Sequence, residues 1–171
     1  MLVRPAAPQD LPAIQSIYAY HVLHGLASFE EEAPPLEEMR HRFVEVTGRG
    51  LPYLVAEGNG EVLGYGYCAP YRDRSAYRFT LEDSIYVKHG QQRKGAGKAL
   101  LAELIVRCEA LNYRQIVAVI GDSANAASIA VHASLGFVRA GNLRSTGYKF
   151  GRWVDSVLMQ RPLGKGDGSK P

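Results

Sequence analysis

The chain has 171 residues, 46% of them hydrophobic and 22% charged, with a formal net charge of +3, values that suit one globular domain around a single core. It has no block of Lys/Arg and no basic–aromatic stripe, which argues against a nucleic-acid binder. No apolar stretch nears the roughly 20 residues that cross a bilayer. Met1-Leu2-Val3-Arg4-Pro5 lacks the apolar centre of a secretion signal, so a cytoplasmic location is expected.

Leu2–Pro5 reads as a short strand. Asp10 then precedes the periodic run Leu11, Ile14, Ile17, Tyr18, the pattern of an N-capped helix with Pro12 in its first turn. A loop over His24–Glu32 and Pro34-Pro35 leads to a second helix, Leu36–Thr47. Tyr53–Glu57 and Glu61–Ala69 flank Gly58-Asn59-Gly60, a hairpin signal, because Asn-Gly readily takes positive φ. Beyond the irregular Pro70–Arg78 comes a third strand, Phe79–Val87, and then the polar loop Gly90–Gly97. That loop opens onto an amphipathic helix, Lys98–Leu111. Ile116–Ile120 is wholly apolar and predicts a buried strand.

Asp122–Asn125 starts another helix, which ends at Leu135-Gly136, and Phe137–Ala140 and Asp155–Gln160 read as the last strands. The order β-α-α-β-β-β-α-β-α-β-β predicts an α/β domain, a mixed and mostly antiparallel sheet with helices on both faces. Residues 1–163 are expected to form this domain, and the Gly/Lys/Ser-rich residues 164–171 a disordered tail.

Cys68 and Cys108 fall in apolar segments without metal-ligand spacing, so two free core thiols are expected. His21 and His24 lack further ligands nearby, and no metal site is expected. The Gln92-Arg93-Lys94-Gly95-Ala96-Gly97 loop, between a strand and a helix, is an anion cradle in outline. Glycines let backbone N–H groups turn inward, the helix N-terminus adds positive potential, and Arg93, Lys94 and Lys98 add charges. A Walker A loop fails here, since Lys98 is followed by Ala99 and Gln92 stands where its first glycine belongs. Gly64-x-Gly66-x-x-Ala69 lies inside a strand pattern with no helix behind it, which rejects a dinucleotide fingerprint.

Gln92-x-x-Gly95-x-Gly97 resembles the Q/R-x-x-G-x-G/A loop of the GCN5-related N-acetyltransferases, and Asn125 through Ser134-Leu135-Gly136-Phe137 resembles that superfamily's second signature. Glu82-Asp83-Ser84-Ile85-Tyr86-Val87 and Lys149-Phe150-Gly151-Arg152-Trp153-Val154-Asp155 are similar to segments of its phosphinothricin and methionine sulfoximine acetyltransferases. The resemblance spans about Leu2–Leu163.

It implies the GNAT fold and an N-acetyltransferase that takes acetyl-CoA and needs no metal. The acceptor it implies is a small amine of the glutamate-like amino-acid class, with no nucleic-acid or membrane partner, acylated as detoxification. It also implies a homodimer. The implied cofactor contacts are the backbone of Ile85, Tyr86 and Val87, then Arg93, Lys94, Gly95, Ala96, Gly97 and Lys98, and Asn125.

Alternation along the strand places Glu82 on one face with Ser84 and Tyr86, and Leu81, Asp83 and Ile85 on the other. Glu82 is the candidate general base, because an amine must lose a proton before it attacks. His132 and Tyr86 are candidates for protonating the departing thiolate. Arg78 and Thr80, with Phe29, Arg74 and Tyr77, are the candidate acceptor contacts, and Arg72 stands in the same cationic cluster. The resemblance makes Lys149 and Trp153 further candidates, across a homodimer interface. Ser28-Phe29 resembles the phosphinothricin side of the subgroup. An enzyme for another small amine and a non-catalytic acyl-CoA-binding domain are the alternatives.

Overall fold

A computed structural model describes residues 1–171. Seven strands and four α-helices follow one another as β1 (Leu2–Pro5), α1 (Leu11–His24), α2 (Leu36–Gly48), β2 (Tyr53–Gly58), β3 (Glu61–Pro70), β4 (Thr80–Val87), α3 (Ala96–Ala110), β5 (Gln115–Gly121), α4 (Ala126–Ser134), β6 (Val138–Lys149) and β7 (Arg152–Pro162). This is the order the sequence predicts, and it builds the single α/β sheet domain expected. The strands lie in the order β1-β2-β3-β4-β5-β7-β6. Every neighbouring pair is antiparallel except β4 and β5, which run parallel because α3 carries the chain back between them.

Several boundaries move. Asp10 does not cap α1. Its carboxylate turns back to accept from Ala7 N at 2.8 Å and from the Arg4 guanidinium at 2.8 and 2.9 Å, closing a 3-10 turn over Pro8–Asp10 ahead of the helix. The last two strands are far longer than their apolar stretches predict. Exposed, polar residues between Val138 and Lys149 are held in β6 by pairing with β7, a tertiary effect that periodicity does not register. Beyond Pro162 the Arg114 guanidinium donates to Gly166 O, Lys170 O and Ser169 Oγ, contacts that the composition of this stretch does not predict.

Helices α1 and α2 cover one face of the sheet and α3 and α4 the other. On the first face the tyrosines alternate inward. Tyr53, Tyr65, Tyr67 and Tyr86 stack with centroids 4.9–6.4 Å apart, and Tyr18 of α1 meets Tyr86 edge-on at 5.0 Å. On the second face Gly64 and Gly66 of β3 lie under Leu100 and Leu104 of α3, which accounts for the glycine pattern that mimicked a fingerprint. Cys68 and Cys108 are free and buried between β3 and α3.

The chain between α1 and α2 folds over the end of β5. Leu26 carries its carbonyl oxygen so close to Gly121 that any Cβ there would overlap it. We expect Gly121→Ala to destabilise the domain by about 1–3 kcal/mol, the range for overpacking a closed site. Gly48→Ala, in a helical position with open space around it, should instead be neutral or stabilising by less than about 1 kcal/mol. Urea unfolding of both variants checks the contrast.

Candidate active site

The parallel pairing of β4 with β5 runs from Thr80↔Gln115 to Asp83↔Ala118 and stops. Beyond that point the two strands part, although each stays paired on its far side, β4 with β3 and β5 with β7. In antiparallel ladders alternate residues turn their N–H and C=O groups to the same neighbour. Lys88 N bonds to Leu63 O and Tyr71 N to Thr80 O, so the even-numbered residues of β4 face β3. Ile85 and Val87 therefore present their backbone groups to the gap. By the same count, with Asp122 N bonded to Asp155 O, Val119 and Gly121 face it from the other side.

The gap is a slot through the sheet. Ser84, Ile85 and Tyr86 line one side of it and Val119, Ile120 and Gly121 the other. Ala27 stands at one mouth, with Asn125, Ser128 and His132 of the α4 region at the opposite one. Unpaired backbone groups in such a place await hydrogen-bonding partners. Val87 O is already engaged, since His21 Nε2–H of α1 donates to it at 2.8 Å. Burial lowers the His21 pKa and keeps the ring neutral. Val87 thus offers the slot its N–H alone.

At the open end of the slot lies the glycine-bearing loop. Gly90, Arg93 and Gly95 all take positive φ, and Gln92 braces the turn by accepting from Gly90 N at 2.8 Å. The first helical hydrogen bond of α3 runs from Ala99 N to Gly95 O. Hence the N–H groups of Arg93, Lys94, Gly95, Ala96, Gly97 and Lys98 have no acceptor in the protein, and the lysines and Arg93 are exposed around them. Free N–H groups and positive charge at a helix N-terminus suit an anion, and Gly97 sets the loop against Ile85 and Val87 at the slot's end. Asn125 caps α4, its Oδ1 accepting from Ser128 N at 3.2 Å, and its Nδ2 has no partner within the protein beside the slot.

Glu82 lies on the α1 face, where alternation predicts it. It lines a pocket with Ala27, Ser28, Phe29, Ser84, Tyr86, Val119, Gly121 and Ser156, which opens beside the slot. Burial raises its pKa, Asp83 adds to the rise, and the Arg72 charge only partly offsets it. A carboxylate whose pKa is raised in a half-buried pocket is a stronger base than an exposed one and suits proton removal from an amine. Tyr86 lines both slot and pocket, and burial holds its hydroxyl well above the ordinary tyrosine range.

His132 takes a different position from the one expected of a free proton donor. It is 5% exposed, and both ring nitrogens are occupied. Nδ1–H donates to Ser128 O at 2.8 Å and Nε2–H to Asp83 Oδ2 at 3.0 Å. Both partners are acceptors, so the imidazolium is the form that satisfies both. Burial pulls against the charge, but the Asp83 hydrogen bond and charge, with the Ser128 carbonyl, leave the His132 pKa raised. Asp83 Oδ1 is buried without a partner. An acidic residue on the helix-facing side of β4 needs a cation or donor opposite, and His132 is the one ionisable side chain of α4.

The cationic cluster is only partly assembled. Arg74, Tyr77 and Arg78 are exposed and stand outside the pocket, Tyr77 at 44%. Arg78 lies 4.6 Å over the Phe79 ring and donates to Ser75 O, satisfied within its own turn. Arg72 is exposed as well and donates to Tyr71 O at 3.1 Å, and its charge is the one that acts on Glu82. Thr80 is half-buried on the Glu82 face, one residue pair back along β4. Trp153 is 64% exposed, packed on Tyr148 at the sheet edge rather than in the pocket or the core.

Lys149 is 2% exposed and donates to Gly25 O at 2.9 Å and Ser28 O at 2.7 Å of its own chain, so its contribution is intramolecular. Val119, Gly121 and Ser156 line the pocket without any sequence signal, because such residues are indistinguishable from ordinary strand positions.

A family model described as an acetyltransferase (GNAT) domain matches residues 3–158. The chain is 56% identical over 169 residues to a phosphinothricin N-acetyltransferase of Alcaligenes faecalis, covering 99% of this chain and 86% of that one. It is 40% identical to an L-methionine sulfoximine/L-methionine sulfone acetyltransferase of Pseudomonas paraeruginosa, covering 94% of each. Among solved structures it superimposes on a GNAT superfamily phosphinothricin acetyltransferase from Sinorhizobium meliloti in complex with AcCoA. The TM-score is 0.97 at 49% identity, covering 99% of this chain and 92% of that one.

The buried Asp83–His132 pair carries a pH signature. A histidine whose pKa is raised on folding contributes stability that is fully present below its unfolded value of about 6.5 and is lost as pH rises through the folded value. Asp83→Asn should therefore cost about 3–5 kcal/mol at pH 6, the range for breaking a buried pair, and progressively less at alkaline pH. Urea unfolding of both proteins across that range measures it. A pH-independent difference would show that the pair is not ionised.

Proposed function

The chain belongs to the GNAT acetyltransferase family and is an acetyl-CoA-dependent N-acetyltransferase, and we propose that it acetylates the α-amine of a small glutamate-like amino acid, L-phosphinothricin or L-methionine sulfoximine, as a detoxifying enzyme. The observation that carries this reading is the slot between β4 and β5, with an anion site at its open end and Glu82 in a pocket at its α1-side mouth. Donor and acceptor approach from different directions and meet where the strands part. The names of the relatives supply the acceptor class.

The structure fits the donor. Bound acetyl-CoA supplies the acetyl group as a thioester. The free N–H groups of Arg93–Lys98 suit its pyrophosphate, with Arg93, Lys94 and Lys98 adding charge. Ile85 and Val87 offer backbone groups along the slot as a neighbouring strand would, and an N–H among them polarises the thioester carbonyl. Asn125 Nδ2 is a donor on the opposite wall.

On the acceptor side Glu82 takes a proton from the substrate ammonium, directly or through water, and leaves the lone pair that attacks the acyl carbon. As the tetrahedral intermediate collapses, the C–S bond breaks, the nitrogen loses its second proton, and the sulfur gains one. Tyr86, placed on both slot and pocket, is the relay for that transfer. His132, its two N–H groups engaged, is held in a structural pair with Asp83. The Arg72 charge acts on Glu82, so we assign Arg72 the acceptor's anionic head in preference to Arg74 and Arg78, with Phe29 as a pocket wall and Thr80 beside it on the Glu82 face. The β6 edge, with exposed Leu143, Tyr148, Phe150 and Trp153 around it, supports pairing of two copies there. Two free buried thiols suit a reducing cytoplasm.

A thiol-release assay with acetyl-CoA against a panel of amino acids and amines tests the acceptor. Turnover of L-phosphinothricin or L-methionine sulfoximine is expected, and inertness of both beside a reactive third amine would overturn the assignment. Glu82→Gln should lower kcat by about 10²–10⁴-fold, the span for loss of a general base, while acetyl-CoA affinity changes little. In the wild type, kcat/KM should fall as pH drops through the Glu82 pKa, above the ordinary carboxylate value of about 4.3.

A further inference from the structure

The wall of the pocket that faces Glu82 is a loop, and three independent contacts hold it. Ser28 Oγ–H donates to Tyr18 Oη at 2.9 Å, Tyr18 Oη–H donates to Glu30 Oε1 at 2.9 Å, and Arg42 closes the chain by donating to the same carboxylate oxygen at 2.7 Å. Leu26 O presses on Gly121 of β5. From below, Lys149 of β6 places a buried ammonium between Gly25 O and Ser28 O. No carboxylate touches that ammonium, and burial lowers its pKa. A buried charge is costly unless its donors are used, and here two of them hold the ends of one loop segment.

The ring of Phe29, next in the loop, comes down on Gly147. A Cβ at residue 147 would lie 2.5 Å from Phe29 Cε2, 2.7 Å from Cδ2 and 2.9 Å from Cζ, closer than carbon atoms approach one another. The strand is brought there by a bulge. Between Leu143 and Gly147 the pairing with β7 slips, Ser145 takes a φ of 52°, and the Asp155 carboxylate accepts from Ser145 N at 2.9 Å and Asn142 Nδ2 at 3.3 Å. Bulges of this kind re-aim the residues that follow. Gly147 and Lys149, two apart on one strand face, are thereby set under Phe29 and the Gly25–Ser28 segment together.

We propose that Gly147 is a specificity-determining residue, which sets the depth of the acceptor pocket by letting the Phe29 ring lie flat on β6, and that Lys149 is the positioning residue that keeps the loop, and so the ring, in place. The inference rests on the reading that the pocket beside Glu82 holds the acceptor. Any side chain at 147 has to displace the ring, and Phe29, 39% exposed at the pocket's wall, is expected to shift away from β6 into the space it shares with Glu82, Val119 and Ser156. The pocket then shortens, and longer acceptors lose more than shorter ones.

A double-mutant cycle on residues 29 and 147 tests this, run with L-phosphinothricin, L-methionine sulfoximine or whichever panel amine the wild type acetylates. Gly147→Ala should raise the acceptor KM about tenfold or more, the effect of one methyl-sized change in a fitted pocket. The KM for acetyl-CoA should stay within about twofold, and the penalty should grow with acceptor length. In a Phe29→Ala background the same substitution should change the acceptor KM by less than about twofold, since the ring through which it acts is gone. Lys149→Met should likewise raise the acceptor KM while sparing that of acetyl-CoA, a split that general loosening of the fold would not produce. A crystal structure of Gly147→Ala supplies a readout independent of the substrate, with the ring expected to be displaced toward Glu82. A ring left in place, or a KM penalty that persists undiminished without Phe29, would overturn the proposal. Failure of the acceptor reading shows itself separately, as a wild type inert toward both amino-acid analogues.

Discussion

Two parallel strands that pair for a short distance and then part are the constraint on which this molecule is organised. Had β4 and β5 continued beside one another past Asp83 and Ala118, Ile85, Val87, Val119 and Gly121 would have spent their backbone groups on each other. Because each strand is anchored on its other side by an antiparallel neighbour, they can separate without either unravelling. The separation opens a slot lined by rigid backbone, and rigidity there means that little ordering is needed when a ligand arrives. Everything else of functional weight is arranged around that opening.

The two faces of the sheet divide the work. On the α3/α4 face the slot is closed by a buried ionic pair, Asp83 with His132, that joins the last paired residue of β4 to α4. On the α1/α2 face it opens on Glu82 and the pocket proposed for the acceptor. Adjacent residues of one strand, Glu82 and Asp83, thus have opposite roles, since alternation aims them at opposite environments. One carboxylate is half-buried and free of a partner, which suits a base. The other is held by an imidazolium, which suits a brace. His21 adds a cross-connection by tying α1 to Val87, and Tyr20 stacks on His89 at 4.4 Å, so the helix bordering the acceptor loop is joined to the start of the anion loop.

Local sequence chemistry announced the donor side clearly. The Gln92–Gly97 turn needs positive φ at Gly95 and free N–H groups at a helix start, and both are properties of a few consecutive residues. The strand period likewise placed Glu82 correctly. The acceptor side was legible only in part. Arg74, Tyr77 and Arg78 looked like a cluster because they are near in sequence, yet a 3-10 turn over Ser75–Tyr77 spends Arg78 on its own backbone and leaves all three at the surface. His132 looked available because an isolated histidine on a helix carries no sign of what faces it.

What the sequence by itself determined is the order of the elements, the single core, the glycine-bearing loop at the start of α3 and the face on which Glu82 stands. These depend on hydrophobic period, turn chemistry and glycine φ, all decided within a turn or two of the chain. What only the tertiary structure decided is where β4 and β5 part, that His132 belongs to Asp83, and that Lys149 and Gly147, more than a hundred residues away in sequence, support the loop bearing Phe29. Those facts arise from close approach between distant segments. Approach is governed by the sum of packing across the sheet, and no local pattern in the chain encodes that sum.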